Sequence, residues 1–304
     1  MKINCAGIVT YNPNLGDLKK NIEAIYPQVN DLYIIDNNSA NLNEMRELLL
    51  NYNNVSLILF DKNYGVAKAL NKIIDLASAN FYDWVLLLDQ DSVCDNNIMS
   101  IYYAFLQNNN SINIALLTPY IIDINKMSLE EYKRLKQSDY SYVNFAITSG
   151  SLINVNICQQ LGGFDNMLFI DCVDLDYSKK VEIEGYKQIR INSTYLLQQV
   201  GNAEKTKIMR VHKDNAGKIS IMPYYRTNHS LFRQYYMARN HIIIIKKYFI
   251  GVRKAFQIMY ILCYLFAKIL VEKNKIKLLK TILKGLYDGC KIPISRYKVR
   301  DFYE

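Results

Sequence analysis

The first 95 residues alternate short apolar runs with helical spacings, and no other feature of the chain constrains its fold as much. Residues 3–10 read as a buried strand. Residues 15–25 then repeat apolar side chains at Leu15, Leu18, Ile22 and Ile25, the spacing of one helix face. A second apolar run over 31–36 ends in Asp36-Asn37-Asn38-Ser39, and a helix over 42–50 leads to a strand over 55–60. After a turn over 61–65, apolar residues at Val66, Ala69, Leu70, Ile73, Ile74 and Ala77 set another helix. A fourth run, 84–88, passes directly into Asp89-Gln90-Asp91-Ser92. Strands and helices in this order predict an α/β fold, a Rossmann-like and mostly parallel sheet flanked by helices.

In open parallel sheets, ligands sit beyond the carboxyl ends of the strands. Three such ends carry polar, turn-forming residues here: Thr10-Tyr11-Asn12-Pro13, Asp36-Asn37-Asn38-Ser39 and Asp89-Gln90-Asp91-Ser92. Asp and Asn also end strands simply as turn formers, so each loop alone says little. Three on one edge form a candidate nucleotide and cation site. Asp89 and Asp91 carry the sharpest chemistry. Carboxylates at i and i+2 after a buried strand point to one side and can hold a hard divalent cation, Mg²⁺ or Mn²⁺, with positions left for phosphate oxygens. Such a cation turns a nucleoside diphosphate into a competent leaving group by neutralising its charge.

Taken in order, Thr10-Tyr11-Asn12, Asp36-Asn37-Asn38-Ser39, Asn63-Tyr64-Gly65-Val66-Ala67-Lys68-Ala69-Leu70-Asn71 and Asp89-Gln90-Asp91-Ser92 resemble the inverting, GT-A-fold glycosyltransferases of family 2. The Asp-Gln-Asp-Ser form is similar to their bacterial rhamnosyltransferase branch, and the likeness runs over residues 3–245. It implies that Thr10, Tyr11, Asp36 and Asn38 lie around the base and ribose of a nucleotide-sugar donor. Asn63 and Gly65 would rest against the nucleotide, the glycine permitting close backbone approach. Asp89 would face the diphosphate, with Asp91 and Asp89 as metal ligands. Ala67 and Ala69 read as packing residues at a helix start.

Further along, Thr148-Ser149-Gly150-Ser151 resembles the family's strand on the floor of the acceptor site, which implies Ser149 and Gly150 at the acceptor, joined by Asp171. Asp171, Asp174 and Asp176 form a second acidic centre. Inverting transfer needs a carboxylate that takes the proton of the acceptor hydroxyl. Counting back from the family's Gly-Tyr pair, here Gly185-Tyr186, the resemblance assigns that base to Asp174, with Asp176 the second candidate. All three acids also suit a helix N-terminus, where the dipole favours negative charge. Many relatives carry a His after the next strand; this chain has Gln198, within Leu197-Gln198-Gln199-Val200-Gly201-Asn202, so the third metal ligand stays open. The resemblance offers His229 as a compensating ligand and Arg233 as a bidentate phosphate clamp. Arg239 reads equally as a clamp or a helix cap, and His212 and His241 as surface or packing residues.

The formal net charge of +9 raises nucleic acid and anionic membrane as partners. From His241 onward, 14 Lys and Arg stand against 4 acids, so the preceding 240 residues are within one charge of neutral. The organisation expected is a catalytic domain over 1–240, with a nucleotide-sugar half (1–95) and an acceptor half (96–240), followed by a basic helical extension over 241–304. There aliphatic and aromatic residues mix with Lys and Arg, as an interfacial helix pair on an anionic leaflet requires. The alternative is helices packed on one another with a solvated Lys face. No 18-residue window is uninterruptedly apolar, and 255–271 contains Gln257 and Lys268, so a spanning helix is not expected. Six scattered Cys without a CxxC pair, and no secretory signal, read as reduced thiols of a cytoplasmic protein.

The expected function is therefore transfer of L-rhamnose from dTDP-β-L-rhamnose to a lipid-linked saccharide in bacterial surface polysaccharide (O-antigen or capsule) synthesis, at the inner face of the cell membrane. Another UDP- or dTDP-sugar is the alternative donor. A nucleotidyltransferase should carry a basic, Gly-rich loop after the first strand, and Tyr11-Asn12-Pro13-Asn14 has neither. A nucleic-acid-binding module fits poorly with a balanced body and an apolar tail, so no nucleic-acid partner is expected.

Overall fold

In the computed structural model, which describes residues 1–109, 113–198, 204–213, 219–226, 228–272 and 274–298, the expected alternation is realised element by element. The elements β1 (Cys5–Thr10), α1 (Leu15–Ile25), β2 (Asp31–Asp36), α2 (Leu42–Leu49), β3 (Val55–Leu59), α3 (Val66–Ala79) and β4 (Trp84–Asp89) follow one another. Strand β1 pairs in parallel with β2 and β4, and β2 pairs in parallel with β3. All six residues of β1 are buried, because a central parallel strand is covered on both faces and so reads as a continuous apolar run. The Asn14 side chain accepts from the Gly16 and Asp17 N–H groups and starts α1, which turns Leu18, Ile22 and Ile25 inward. Helix α3 buries Ala67, Ala69, Leu70, Ile73, Ile74 and Ala77. It lies so close to β1 that a Cβ on Gly7 would collide with Ile73.

The chain then adds β5 (Val93–Cys94), α4 (Ile98–Asn108), β6 (Ile114–Asp123), α5 (Leu129–Lys133), β7 (Tyr140–Tyr142), β8 (Leu152–Asn154), α6 (Val155–Gln160), α7 (Val173–Ile183) and β9 (Lys187–Gln198). The resulting nine-stranded sheet has the order β3-β2-β1-β4-β8-β6-β9-β5, with β7 on β9. Because β8 runs antiparallel to both β4 and β6, the sheet is mixed beyond β4. In register, Thr10 lies beside Asp36, Asp36 beside Leu59, and Val9 beside Asp89. The carboxyl ends of β1, β2 and β4 therefore finish level on one edge. The run 148–151, expected within a strand, lies just ahead of β8, which begins at Leu152. There the chain turns: Ser151 N–H donates to the Thr148 carbonyl at 3.0 Å, and Gly150, at φ +78°, donates to the Leu87 carbonyl at 2.7 Å.

The structure divides into two compact units, Met1–Gln199 and Val200–Lys298. The second holds an antiparallel pair, β10 (Glu204–Lys213) and β11 (Ile219–Arg226), and three helices, α8 (Leu231–Tyr248), α9 (Gly251–Val271) and α10 (Lys275–Lys291). Its core joins Ala238 and Ile245 of α8, Ile261 and Leu265 of α9, and Leu278 and Ile282 of α10. Helices α8 and α10 close on two small residues, since a Cβ on Gly285 would lie 2.5 Å from the Tyr235 carbonyl oxygen and one on Gly289 2.7 Å from that of Arg239. The division falls after Gln199, earlier than the expected 240/241 border, because α8 shares its core with α9 and α10. The step in charge at 241 thus lies inside one packed unit. By length and composition α9 is apolar enough to cross a membrane, with a mean hydropathy of 1.6.

Candidate active site

The edge formed by β1 and β2 is laced together by a buried carboxylate. Asp36 is 1 % exposed and Thr10 is fully buried. Asp36 Oδ1 accepts from Thr10 Oγ1 at 2.9 Å and from Ser39 Oγ at 2.5 Å, while Oδ2 accepts the Ser39 N–H at 2.8 Å. Ser39 Oγ accepts the Asn12 N–H at 2.8 Å, and Asn12 Oδ1 accepts the Ala40 N–H at 2.7 Å. Burying a carboxylate requires such donors. Thr10 and Asp36, expected around the base and ribose, are thus placed beneath the surface and shape both loops. Tyr11 and Asn38, the latter at φ +66°, are the members of that set exposed at the edge.

The run from Asn63 to Asn71 also serves the chain itself. Gly65 starts α3 at φ +86°, and a Cβ there would sit 2.5 Å from the Phe169 carbonyl oxygen, which accepts the Val66 N–H at 2.6 Å. Close approach is needed, as expected of the glycine, and within the chain it is the Phe169 backbone that approaches. Asn63 Oδ1 accepts the Gly65 N–H at 2.9 Å. Asn71 exchanges two 2.8 Å hydrogen bonds with the Phe164 backbone. This motif docks the segment that leads to the acidic run.

Asp89, Gln90 and Ser92 of the turn after β4 are each anchored by hydrogen bonds. The Asp89 N–H donates to Ser149 Oγ at 2.9 Å, and Ser149 Oγ donates to Ser92 Oγ at 3.0 Å. Asn21 of α1 donates to the Asp89 carbonyl at 2.5 Å, and Gln90 Oε1 accepts the Tyr11 N–H at 2.8 Å. Gln198 Nε2 donates to Asp89 Oδ2 at 3.4 Å, so the amide standing in place of the expected His orients this carboxylate without adding charge. Asp89 is half-buried and Asp91 exposed. Among the described residues, no three His, Cys, Asp or Glu side chains group as a metal site. Two carboxylates at an anchored turn still suit Mg²⁺ or Mn²⁺, which take one or two carboxylates and complete their shell with phosphate oxygens and water. Gln199, Val200, Gly201 and Asn202 lie outside the described residues. Ser149 and Gly150, expected at the acceptor, are buried under this turn, the serine hydroxyl engaged with it and the glycine carbonyl accepting Tyr102 Oη at 2.9 Å.

The approach to the second centre is strained. Phe169, Asp171 and Cys172 all have φ near +60°, a conformation that costs a non-glycine residue about 1–2 kcal/mol and clusters at functional sites. Asp174, half-buried in the first turn of α7, accepts the Thr148 N–H on Oδ1 at 3.3 Å. Asp176 is fully buried and paired with Lys180 at 3.2 Å, and Lys180 Nζ also donates to the Gly163 carbonyl at 2.8 Å. The second candidate for the base therefore belongs to the core, whereas Asp174 keeps a half-buried place in the first turn of the helix. Asp171 is half-buried just ahead of the helix. Burial, followed by the Asp171, Asp174 and Asp176 carboxylates, pushes the Cys172 thiol far up, so it stays protonated. Thr148 and Ser149 are consecutive, their Cα atoms about 3.8 Å apart, and one touches Asp174 while the other touches the Asp89 turn. The two acidic centres thus flank a single step of chain.

Two supporting residues, Asn21 and Lys180, are not among those singled out from the sequence. Asn21 had a signal, a polar residue on the same helix face as Leu18, Ile22 and Ile25, and Lys180 had one in its i+4 spacing from Asp176. His229 and Arg233 belong to the second unit, both half-buried, with Ser230 capping α8 through the Arg233 N–H at 3.3 Å. Arg239 sits mid-helix, not at a cap. Its guanidinium donates to Asn240 Oδ1 at 2.9 Å and lies 4.4 Å from the Tyr236 ring. His241 packs locally, Nδ1 lying 2.7 Å from the Met237 carbonyl; the side chain of His212 is outside the described residues.

Known proteins bear on this geometry. The chain is 25 % identical over 297 residues to the dTDP-rhamnosyl transferase RfbF of Shigella flexneri, covering 93 % of this chain and 94 % of that protein. Staphylococcus aureus TarS 1–349 in complex with UDP-GlcNAc superposes with a TM-score of 0.50 at 13 % identity, over 95 % of this chain and 89 % of that one. GalNAc-T7 with UDP, GalNAc and Mn²⁺ gives 0.51 at 15 % identity over 66 % of this chain, which spans 44 % of its length. At such identities the structures establish the fold alone, the expected GT-A arrangement. The family model for glycosyl transferase family 2 matches residues 5–162, a span that takes in β1 to β8 and all the strand-end loops. Because that match exceeds half of the chain, this protein belongs to glycosyl transferase family 2 and is a glycosyltransferase.

Proposed function

We propose that the chain transfers L-rhamnose from dTDP-β-L-rhamnose, with inversion, to a lipid-linked saccharide at the inner face of the cell membrane. The choice of sugar is supported by the near full-length likeness to a protein named a dTDP-rhamnosyl transferase. A nucleotide-sugar donor and a divalent cation are in keeping with relatives of this fold whose structures hold UDP-GlcNAc, or UDP with Mn²⁺. The observation that carries the chemistry is the placement of Asp174 and Asp89 on neighbours Thr148 and Ser149.

In this reading Asp89 and Asp91 would hold Mg²⁺ or Mn²⁺, which would supply charge neutralisation for the diphosphate. Gln198 and the Ser149 hydroxyl keep the Asp89 end of the turn in place. Tyr11 and Asn38 face the base side of the donor. Asp174 takes the acceptor's hydroxyl proton while the hydroxyl oxygen bonds to the anomeric carbon. In the same displacement the bond from that carbon to the diphosphate oxygen breaks, and its electron pair leaves with dTDP.

The test is thermal stabilisation and donor hydrolysis across nucleotide sugars, with and without Mg²⁺ or Mn²⁺. Cation-dependent stabilisation by dTDP-rhamnose is expected. Stabilisation by a UDP-sugar and none by dTDP-rhamnose would sink the rhamnosyl assignment while leaving the glycosyltransferase standing.

A further inference from the structure

Helix α9 turns Ile261, Leu265 and Lys268 into the core of its unit. On the opposite face, Val252, Phe256, Met259, Phe266 and Leu270 recur at i, i+4, i+7, i+14 and i+18, each between 51 and 73 % exposed. That spacing is one helix face, about 27 Å long, and it carries no charge. Helix α10 repeats the arrangement. Leu278, Ile282, Gly285 and Gly289 point inward, while Ile276, Leu279, Leu283 and Tyr287 are exposed outward. Along one border of this second stripe run Lys277, Lys280, Lys284 and Lys291, all exposed. The one acid of α10, Asp288, accepts the Tyr235 hydroxyl of α8 at 2.7 Å and so is engaged within the unit.

We infer that α9 and α10 dock the protein on an anionic lipid surface, the apolar stripes entering the interface and the α10 lysines meeting the headgroups. Exposed apolar surface of this extent marks an interaction site, and the charge selects the occupant. An apolar stripe bordered by lysines matches an anionic leaflet, whereas a second copy would set one lysine row against another, since residues 241–304 hold 14 basic residues and 4 acids. The inference deepens the reading of a lipid-linked acceptor by naming the surface that meets the lipid.

The test is co-sedimentation of the full chain with phosphatidylcholine vesicles, with and without phosphatidylglycerol. Because these vesicles contain neither donor nor acceptor, the result is independent of the sugar transferred. Partitioning should be about tenfold stronger with phosphatidylglycerol, and Leu279→Glu/Leu283→Glu should lower it by more than about tenfold. Lys277→Gln/Lys280→Gln should weaken binding several-fold on the anionic vesicles alone. An unchanged melting temperature and donor-induced stabilisation establish that each variant is folded. No binding to either vesicle, or binding indifferent to the leucine substitutions, overturns the inference. So does a concentration-dependent dimer that the leucine substitutions abolish, which would assign the stripes to a second copy.

Discussion

The two units dispose of their side chains in opposite ways. In the first, several polar groups are turned inward and partnered there: Asp36 takes three hydrogen bonds, Asp176 is paired with Lys180, and Ser149 bridges Asp89 to Ser92. In the second, apolar groups are turned outward, as Phe256, Phe266 and Leu283 are. Buried polar networks add little stability over an apolar core of the same volume, but they hold loops in one shape. Outward apolar stripes add nothing to a fold in water. Under the proposed function, the first arrangement would serve a charged donor and the second an apolar surface.

The sharpest way to break this contrast is at Asp174. Asp174→Asn should lower sugar transfer by about 10²–10⁴-fold, the range for loss of a general base, with donor-induced stabilisation intact. Near-normal transfer would move the role to Asp171, since Asp176 is in the core. Next is Lys180→Met, which strands the buried Asp176 carboxylate and should cost about 3–5 kcal/mol in urea unfolding. A negligible change would mean that the first unit does not depend on its inward polar pairs.

A smaller effect is expected with pH. Burial pushes the Cys94 and Cys158 thiols of the first unit up to about 12, against about 8.5 in an unfolded chain. Because the folded values are raised, stability is fully present below about pH 8.5 and falls as pH rises above it, when only the unfolded thiols ionise. Cys263 and Cys290 of the second unit are exposed and should react with iodoacetamide in the folded protein while Cys94 and Cys158 do not. Equal labelling of all four would contradict the burial. Smallest of all, Leu279→Glu/Leu283→Glu should change unfolding free energy by no more than about 0.5 kcal/mol per site. A loss of several kcal/mol would show that these leucines belong to the fold of the second unit after all.

Much of this architecture was legible in the sequence because it depends on local pattern. The spacing of Leu18, Ile22 and Ile25, the continuous runs of β1 and β4, and the turn residues after them lie within a few positions of one another. The acidic residues were legible as candidates, and there the pattern reached its limit. Asp36, Asp174 and Asp176 all look alike as carboxylates near a strand end or a helix start. What separates them is burial, and burial comes from partners far along the chain. Thr10 lies 26 residues from Asp36, and Ser149 lies 60 from Asp89. The same distance hid the work of Asn71, whose two bonds reach Phe164 over 93 positions.

From the sequence alone came the parallel-sheet body, the carboxylate pair at the end of β4, the candidate acids around the start of α7 and the concentration of positive charge after residue 241. Only the tertiary structure decided which acids stay near the surface and which are sealed in, that Gly65 makes room for Phe169, and that α8 belongs with the basic helices. The physical reason is that hydrophobic period and turn chemistry act over neighbouring residues, whereas the task of a carboxylate is set by desolvation and hydrogen-bond donors that folding brings from elsewhere.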